Sequence, residues 1–308
     1  MKSTAQKAGR PRTVADFGEN RLITDLMRGF PTRRDVRAGV GDDCAVIGSA
    51  RDPQWRLFKT DSVIESVHFV PEEDLRRVGW KALCRPISDI AAMGGVPEHA
   101  LVTLAAPATM AVTRARALYA GIRRAALAFK VAVVGGETSR SPGPIFISIA
   151  LMGSVESHRC IRRSGGKAGD ALFVTGWLGG SAAGRHLDFH PRVTEARWLT
   201  GHFKVHAMMD LSDGLASDLP RLASASACHF ALWKDQLPKS KGCTTGEALS
   251  DGEDYELLFA LPLRDAAMLQ EQWPRAFPKL PLTQVGVLLP GPPIPTLPLS
   301  GYDHFAHG

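Results

Sequence analysis

Five short acidic clusters are the parts of this 308-residue chain best suited to chemistry. Each lies where a strand-like run ends or a helix-like run begins. Carboxylates that converge without partners repel one another, and Mg²⁺, held by carboxylates together with substrate phosphates, is a common stabiliser of such groups. The sequence therefore predicts a metal–phosphate site assembled from distant segments. The clusters are Gly41-Asp42-Asp43, Thr60-Asp61-Ser62, Ser88-Asp89, Asp210-Leu211-Ser212-Asp213-Gly214 and Gly252-Glu253-Asp254.

The most specific of these clusters is the one that begins at Asp210. It places two carboxylates and a hydroxyl within four residues, between an apolar strand and a helix, where a helix N-terminus favours anions such as phosphate. The other clusters have simpler readings when taken alone. Gly41-Asp42-Asp43 is typical of a turn, and Thr60-Asp61 is typical of a helix N-cap. Their joint occurrence favours the metal site.

The elements that must position these residues alternate between strands and helices. Apolar runs predict a strand over 55–60 that leads into Asp61 and a buried strand over 131–134 that Gly135-Gly136 stops. Mixed three- and four-residue apolar steps predict a helix over 75–93, with Pro86 inside it. The alternation in both halves predicts an α/β or α+β fold with two domains.

Composition limits the class of protein. Apolar residues make up 44% of the chain and charged residues 22%, which is typical of a folded globular protein, and no apolar run is long enough to span a bilayer. The net charge of +6 is spread thinly, without the aromatic-rich basic stretch that nucleic-acid binding favours. Five cysteines without a CxxC pair predict a reducing cytoplasm and neither disulfides nor zinc. Residues 1–16 are interpreted as a basic tail.

Three other features leave two readings open. Arg163, beside Gly165-Gly166, is either a phosphate clamp or a solvated arginine. His68 follows an apolar run and is either a ligand contact or a core histidine. The C-terminal Tyr302 and its neighbours either pack as a structural tail or stack on a flat ligand.

The order of the motifs resembles the thiamine-monophosphate kinase family, in the superfamily that also includes aminoimidazole ribonucleotide synthetase and selenophosphate synthetase. The resemblance covers almost the whole chain from about residue 17. GDD, SDIAAMG and the Asp-x-Ser-Asp-Gly motif are shared by the superfamily, whereas GEDYEL and GYDHF are specific to the kinase. The matching stretches are GVGDDCAVIG, TDSVIESVHF, GWKALCRPISDIAAMGGVP, VVGGET, RRSGGKAGD, MDLSDGL, DGEDYEL and GYDHF.

The resemblance implies ATP- and Mg²⁺-dependent phosphorylation of thiamine monophosphate to thiamine diphosphate, without a catalytic side chain of its own. It implies a homodimer whose N-terminal mixed sheets form a shared β-barrel, with an ATP- and metal-binding domain over 17–153 and a C-terminal α/β sandwich over 154–308. It also implies three groups of site residues. ATP contacts fall on Gly136, Arg163 and Ser212; substrate contacts on His68, Glu253 and Tyr302; metal ligands on Asp43, Thr60, Asp61, Asp89, Glu137, Asp210 and Asp213.

Three positions depart from the family pattern. Glu137 stands where an aspartate usually follows Gly-Gly, Pro86 replaces an asparagine, and Lys59 replaces a small polar residue beside the Thr60-Asp61 metal site. Lys59 either points away along its strand or takes the place of one Mg²⁺. These departures leave two alternatives to the kinase: a diverged relative acting on another small substrate, and a nucleotide-binding dimer without catalysis.

Overall fold

The computed structural model describes residues 13–293, and its first half is built on a mixed sheet. Six strands lie in the order β1-β2-β3-β6-β4-β5, and all neighbours are antiparallel except the parallel pair β4 and β5. Four helices belong to the same part of the chain. The elements are β1 (Val36–Ala38), β2 (Ala45–Ile47), β3 (Gln54–Ile64), β4 (Val96–Ala106), β5 (Ala132–Arg140), β6 (Phe146–Glu156), α1 (Val14–Phe17), α2 (Glu19–Leu26), α3 (Leu75–Ala92) and α4 (Val112–Phe129).

Helix α3 is the central element of the first half. The Asp74 side chain caps its first turn by accepting a hydrogen bond from the Arg76 amide, and the helix continues through Pro86 to Ala92. It packs very closely on α4, because a Cβ at Gly79 would lie 2.0 Å from the Leu118 carbonyl oxygen and one at Gly121 would lie 1.9 Å from that of Arg76. The two glycines therefore permit backbone contact between the helices, and the predicted helix over 75–93 is confirmed.

The second half is a five-stranded antiparallel sheet between layers of helices. Its strands lie in the order β8-β10-β7-β11-β9. One face packs on α6 and the other on α5 and α8, and each forms a buried apolar cluster. The elements are β7 (Asp170–Thr175), β8 (Ala207–Asp210), β9 (His229–Leu232), β10 (Leu257–Pro262), β11 (Leu282–Leu289), α5 (Val193–His202), α6 (Leu215–Ala225), α7 (Thr245–Ser250) and α8 (Leu263–Ala276).

The two halves are joined by apolar packing and by charge. Ala91 and Ala92, at the end of α3, belong to the apolar cluster of the second sheet. On the surface, Arg197 of α5 donates hydrogen bonds of 2.6 and 2.7 Å to the two carboxylate oxygens of Glu156, and one of 2.8 Å to the Gly94 carbonyl. Bidentate arginine–carboxylate pairs fix orientation as well as adding energy. Apolar packing and an ion pair therefore hold the two halves together near the end of α3.

The expected mixed α/β fold with two sheets is confirmed, but two strand boundaries were wrong. Strand β3 does not end before Asp61; it continues to Ile64, paired along its whole length with β6. Strand β5 does not stop at Gly135-Gly136, because a register shift opposite Ala100 and Leu101 lets it continue to Arg140. A Cβ at Gly136 would lie 1.8 Å from the Val102 carbonyl oxygen, so the glycines permit this irregular pairing instead of ending it.

Strand β5 was also expected to be buried, and this was wrong. All nine of its residues are exposed, because β5 is an edge strand of an open sheet in residues 13–293. The outer face of the sheet also leaves large apolar side chains exposed, among them Phe58 and Leu101. Within the same residues, no helix combines the length and apolarity that crossing a membrane requires.

Candidate active site

Three buried aspartates meet where the two halves join. Asp43 precedes β2, Asp89 lies near the end of α3, and Asp210 ends β8, so three distant segments supply one cluster. One carboxylate oxygen of each lies within 4.8 Å of the others. We call this group the acidic centre.

The chain compensates only part of the charge of the acidic centre. Arg163 Nη2 lies 2.6 Å from Asp43 Oδ1, and Lys59 Nζ lies 2.9 Å from Asp89 Oδ1. Asp210 accepts a hydrogen bond of 2.5 Å from the Ser88 hydroxyl. Burial, followed by the charge of Asp43, raises the pKa of Asp210 to about 7. Burial also raises the pKa of Asp89. The cluster therefore favours additional positive charge.

The donor set of the acidic centre fits Mg²⁺. Asp43 Oδ2 and Asp61 Oδ2 are buried, and neither accepts a hydrogen bond from the described part of the chain. An anionic oxygen in that state has lost its hydration without gaining a donor, which is costly unless a cation is near. Carboxylate oxygens from several segments are the ligands that Mg²⁺ prefers. Asp43, Asp89 and Asp210, with Asp61 beside them, could therefore hold the ion.

Asp61 differs from the other carboxylates because it lies between two cations. Lys59 Nζ is 4.0 Å from Asp61 Oδ2, and Arg85 Nη2 is 3.7 Å from Asp61 Oδ1. Burial alone would raise the pKa of Asp61, but the charges of Lys59 and Arg85 hold it below its usual value. The positive charges of Lys59 and Arg85 therefore stabilise the ionised form of the Asp61 carboxyl group.

A cavity of about 280 Å³ opens on one side of the acidic centre. It combines charged groups with apolar side chains, as expected of a site for an amphiphilic small molecule. Its walls include both predicted substrate contacts that lie within the described residues. The lining residues are Lys59, Asp61, Val67, His68, Arg85, Asp89, Ser181, Asp210, Ser212, Asp213, Asp251, Glu253 and Tyr255.

Glu253 is fixed in this cavity by a buried lysine. Lys81, whose side chain is fully buried, lies with Nζ 2.7 Å from Glu253 Oε1 and donates a 2.9 Å hydrogen bond to the His68 carbonyl. His186 Nδ1 lies 3.1 Å from Glu253 Oε2. Burial alone would raise the pKa of Glu253, but His186 and Lys81 hold it well below its usual range. Burial lowers the pKa of Lys81 to about 8. Lys81 therefore links both predicted substrate contacts.

The backbone around Glu253 adopts an unusual conformation. Glu253 and Tyr255 have φ angles of +50° and +51°, a region that residues other than glycine adopt at a cost. The two amides donate hydrogen bonds of 2.7 Å to Ser212 O and 2.8 Å to Leu211 O, and the Tyr255 ring stacks on Phe189 with centroids 3.8 Å apart. These contacts tie the Glu253 segment to the loop after Asp210.

A second cavity of about 540 Å³ is lined by Asp43 of the acidic centre and shares part of its wall, including Asp61, with the first cavity. It is richer in cations, since Arg163 and Arg221 both line it, and it includes the polar turn before α6. Arg163 also donates its backbone amide to Asp42 Oδ1 over 3.0 Å. Guanidinium groups and the start of a helix suit an anion such as a polyphosphate. The acidic centre therefore adjoins two neighbouring cavities of different character.

The structure brings most of the predicted site residues together. Those that line the acidic centre or its cavities are Asp43, Thr60, Asp61, His68, Asp89, Arg163, Asp210, Ser212, Asp213 and Glu253. Thr60 lies on the outer face of β3, where its hydroxyl is 3.3 Å from that of Ser148. Its role as a metal ligand stays a prediction.

Two predicted residues, Gly136 and Glu137, are not brought to the acidic centre within the described part of one chain. Gly136 and Glu137 lie on edge strand β5. Glu137 pairs with Thr103 of β4, Thr103 pairs with Ser148 of β6, and Ser148 pairs with Ser62 of β3. Three strand spacings of about 4.8 Å each therefore separate Glu137 from β3. Glu137 lies within strand β5, which was expected to stop at Gly135-Gly136. Tyr302 lies outside the described residues. The roles of all three stay predictions.

Sequence reasoning missed two cations that help to form the site. Lys81 and Arg85 lie eight and four residues before Asp89 on α3. Together the three residues have the i, i+4, i+8 spacing that places side chains on one face of a helix. We call these three residues the polar stripe of α3. Charged residues at regular helical spacing within an otherwise apolar run are the signal that could have identified them.

Comparisons with known proteins agree with this arrangement. Residues 41–155 match the model for the family described as AIR synthase related protein, N-terminal domain. A protein from Rhodopirellula baltica named thiamine-monophosphate kinase is 42% identical over 269 residues, covering 82% of this chain and 83% of the relative. A protein of the same name from Salmonella typhimurium is 32% identical, covering 89% of this chain and 94% of the relative.

A solved structure gives the same result for the fold. The structure described as AaThiL complexed with AMPPCP and TMP superimposes with a TM-score of 0.83 at 30% sequence identity. The match covers 96% of this chain and 100% of that one. Both halves of the chain, and not the first sheet alone, are therefore similar to this relative.

Proposed function

The chain belongs to the thiamine-monophosphate kinase family, and we propose that its acidic centre joins the sites of two anionic substrates. The chain transfers the γ-phosphoryl group of ATP to the phosphate of thiamine monophosphate, giving thiamine diphosphate and ADP. The observation that carries the assignment of substrates to cavities is the pair of cavities at the acidic centre, one lined by Asp89 and Asp210 and the other by Asp43. ATP is assigned to the arginine-rich cavity and thiamine monophosphate to the cavity with Glu253.

The reaction needs little from the side chains except position and charge. A phosphate oxygen of thiamine monophosphate attacks the γ-phosphorus while the bond to the β–γ bridging oxygen breaks, and ADP leaves. The attacking group is already anionic near pH 7, so no general base is required. Arg163 binds the ATP phosphates, and Ser212, in the turn before α6, adds a hydroxyl to the same cavity. Glu253 and His68 orient the acceptor in the other cavity.

Mg²⁺ is part of the proposal. Asp43, Asp89 and Asp210 would hold it, with Asp61, Asp213 and Thr60 as neighbouring ligands. When bound, the ion neutralises the phosphate oxygens and positions them for in-line transfer. Ser88 holds the carboxylate of Asp210 through the 2.5 Å hydrogen bond, so that Asp210 presents its other oxygen to the centre.

Product analysis tests this function directly. Purified protein incubated with MgATP and thiamine monophosphate should yield thiamine diphosphate and ADP in equal amounts, measured by chromatography with mass detection. Formation of ADP only with other small phosphorylated acceptors would favour a diverged relative. Tight ATP binding without product from any acceptor would favour a non-catalytic nucleotide-binding dimer.

We also propose a homodimer whose first sheets together form the β-barrel. The support is the exposed outer face of the sheet, where Phe58 and Leu101 are 46% and 48% exposed, next to the fully exposed edge strand β5. Unpaired edges and contiguous apolar surface favour association. Within one chain, two strands lie between the strand of Glu137 and that of Asp61, so a second copy is the element that could bring Gly136 and Glu137 to an acidic centre.

Leu101→Lys is expected to convert the dimer to a monomer. A charge at the centre of the outer face would be buried without a partner in the assembly. Sedimentation velocity over a range of concentrations measures the change. The matched control is Leu263→Lys, on α8 in the second half of the chain at a position 56% exposed, which should leave the wild-type mass unchanged. An unchanged dimer in the Leu101 variant would contradict the proposed interface.

The division of the chain at 153/154, with a basic tail over 1–16, stays a proposal. Two domains are supported by the two sheets, whose strands come from 36–156 and 170–289, although β6 of the first sheet continues past 153 to Glu156. Limited proteolysis would test the boundary. A cytoplasmic location is likewise proposed, supported by five cysteines that are all free thiols. Cell fractionation would test it.

A further inference from the structure

Lys59 points into the acidic centre. It lies on β3, where side chains alternate, so that it shares the inner face of the sheet with Leu57 and Asp61. Its ammonium group is 2.9 Å from Asp89 Oδ1 and 4.0 Å from Asp61 Oδ2. The three side chains are only 24%, 10% and 16% exposed, respectively. Lys59 is therefore a bridge between two carboxylates and not a solvated side chain.

Arg85 completes the positive charge around Asp61. Its Nη2 lies 3.7 Å from Asp61 Oδ1, and its Nη1 donates a 3.0 Å hydrogen bond to the Ser62 carbonyl. Asp61 therefore has one cation at each carboxylate oxygen. On the side of the acidic centre that faces Asp61, cations of the chain itself therefore compensate the negative charge.

The opposite side of the acidic centre differs in charge. Arg163 contacts only Oδ1 of Asp43, while Oδ2 is buried without a hydrogen-bond donor from the described residues. Asp210 accepts a side-chain hydrogen bond from the Ser88 hydroxyl, which carries no charge. A divalent ion is therefore favoured between Asp43, Asp89 and Asp210, and much less so between Asp61 and Asp89.

We propose that the Lys59 ammonium is a resident cation that takes the position of a divalent ion between Asp61 and Asp89. The proposal rests on the proposed metal-dependent function of this site. As a consequence, the chain binds one divalent ion fewer than the same carboxylates would bind without Lys59. A fixed ammonium also keeps Asp61 and Asp89 together when no metal is present, because their mutual repulsion is already reduced.

The test counts bound Mn²⁺ in Lys59→Ser and in the wild type. Electron paramagnetic resonance titration, with a saturating non-hydrolysable ATP analogue, gives the number of ions per chain. Lys59→Ser should bind one more Mn²⁺ than the wild type, because the vacated position has two carboxylates and no cation between them. Lys59→Arg keeps the charge and should give the wild-type number. Arg56→Ser removes a cation of the same strand that pairs with Glu98 outside the centre, and it should also give the wild-type number.

A second measurement covers the case in which Lys59→Ser is unstable. Without metal its melting temperature should fall below that of the wild type, and millimolar Mg²⁺ should raise it by more degrees than it raises the wild type. A fall that Mg²⁺ does not recover would show a purely structural lysine and would overturn the proposal, as would equal Mn²⁺ numbers in both proteins. Neither measurement uses thiamine monophosphate or turnover. Both would therefore still test the role of Lys59 if thiamine monophosphate were not the acceptor.

Discussion

Asp210→Asn is expected to lower kcat/KM by roughly 100- to 1,000-fold, which corresponds to about 2.7–4 kcal/mol of transition-state stabilisation. Asp210 is the one member of the acidic centre whose position at the end of β8 brings the second half of the chain to the metal site. An amide keeps the shape but removes the charge that a divalent ion requires. Steady-state kinetics at saturating MgATP measures the loss.

The same variant should not be less stable without metal. Asp43, Asp89 and Asp210 repel one another in the folded chain, so removing one charge should leave the melting temperature of the metal-free protein unchanged or higher. Asp235→Asn, at an exposed turn, is the matched control and should keep wild-type kinetics. Wild-type kcat/KM in Asp210→Asn would exclude Asp210 as a metal ligand.

Lys81→Met is expected to produce the largest loss of stability, about 3–5 kcal/mol, because it leaves Glu253 as a partly buried charge without its main partner. Methionine matches the length of the lysine stem, so the change tests the charge more than the volume. Equilibrium urea denaturation measures the free energy of unfolding. In the folded variant, the KM for thiamine monophosphate should rise while ATP affinity stays near that of the wild type.

A double-mutant cycle separates the ion pair from other effects. Glu253→Gln in the Lys81→Met background removes the orphaned charge and should recover part of the lost stability. If Lys81→Met alone lowers the free energy of unfolding by less than about 1 kcal/mol, water or His186 replaces Lys81, because loss of an exposed ion pair typically costs no more than that. That result would also remove the basis for linking Lys81 to acceptor binding.

Local patterns predicted the parts of the site that lie within one element. The helix over 75–93 was predicted from apolar spacing alone, since a helix buries residues close in sequence. The acidic motif at Asp210 was predicted for a similar reason, because a strand, a turn and a helix start are encoded in consecutive residues. The structure confirms both elements as α3 and the β8–α6 connection.

The features that were missed depend on distant parts of the chain. Whether Gly135-Gly136 ends β5 is decided by its pairing with β4 at Val102, which the sequence around the glycines does not encode. The direction of Lys59 depends on strand β3 extending past Asp61, and that extension depends on β6 more than 80 residues away. The partner of Lys81 could not be identified from α3 alone, because Glu253 lies in the distant loop before β10.

The polar stripe of α3 sets a constraint on how this sequence can change. Lys81 holds Glu253 of the acceptor cavity, and Asp89 belongs to the acidic centre. Arg85 lies between them on the same helix. One residue inserted or deleted inside that stretch would rotate everything beyond it by about 100° and detach one cavity from the other. Substitutions along α3 can be compensated one at a time, but a change of its length cannot. Related proteins that have this site should therefore differ in the residue types of α3 but not in the number of residues between its Lys81 and Asp89 positions.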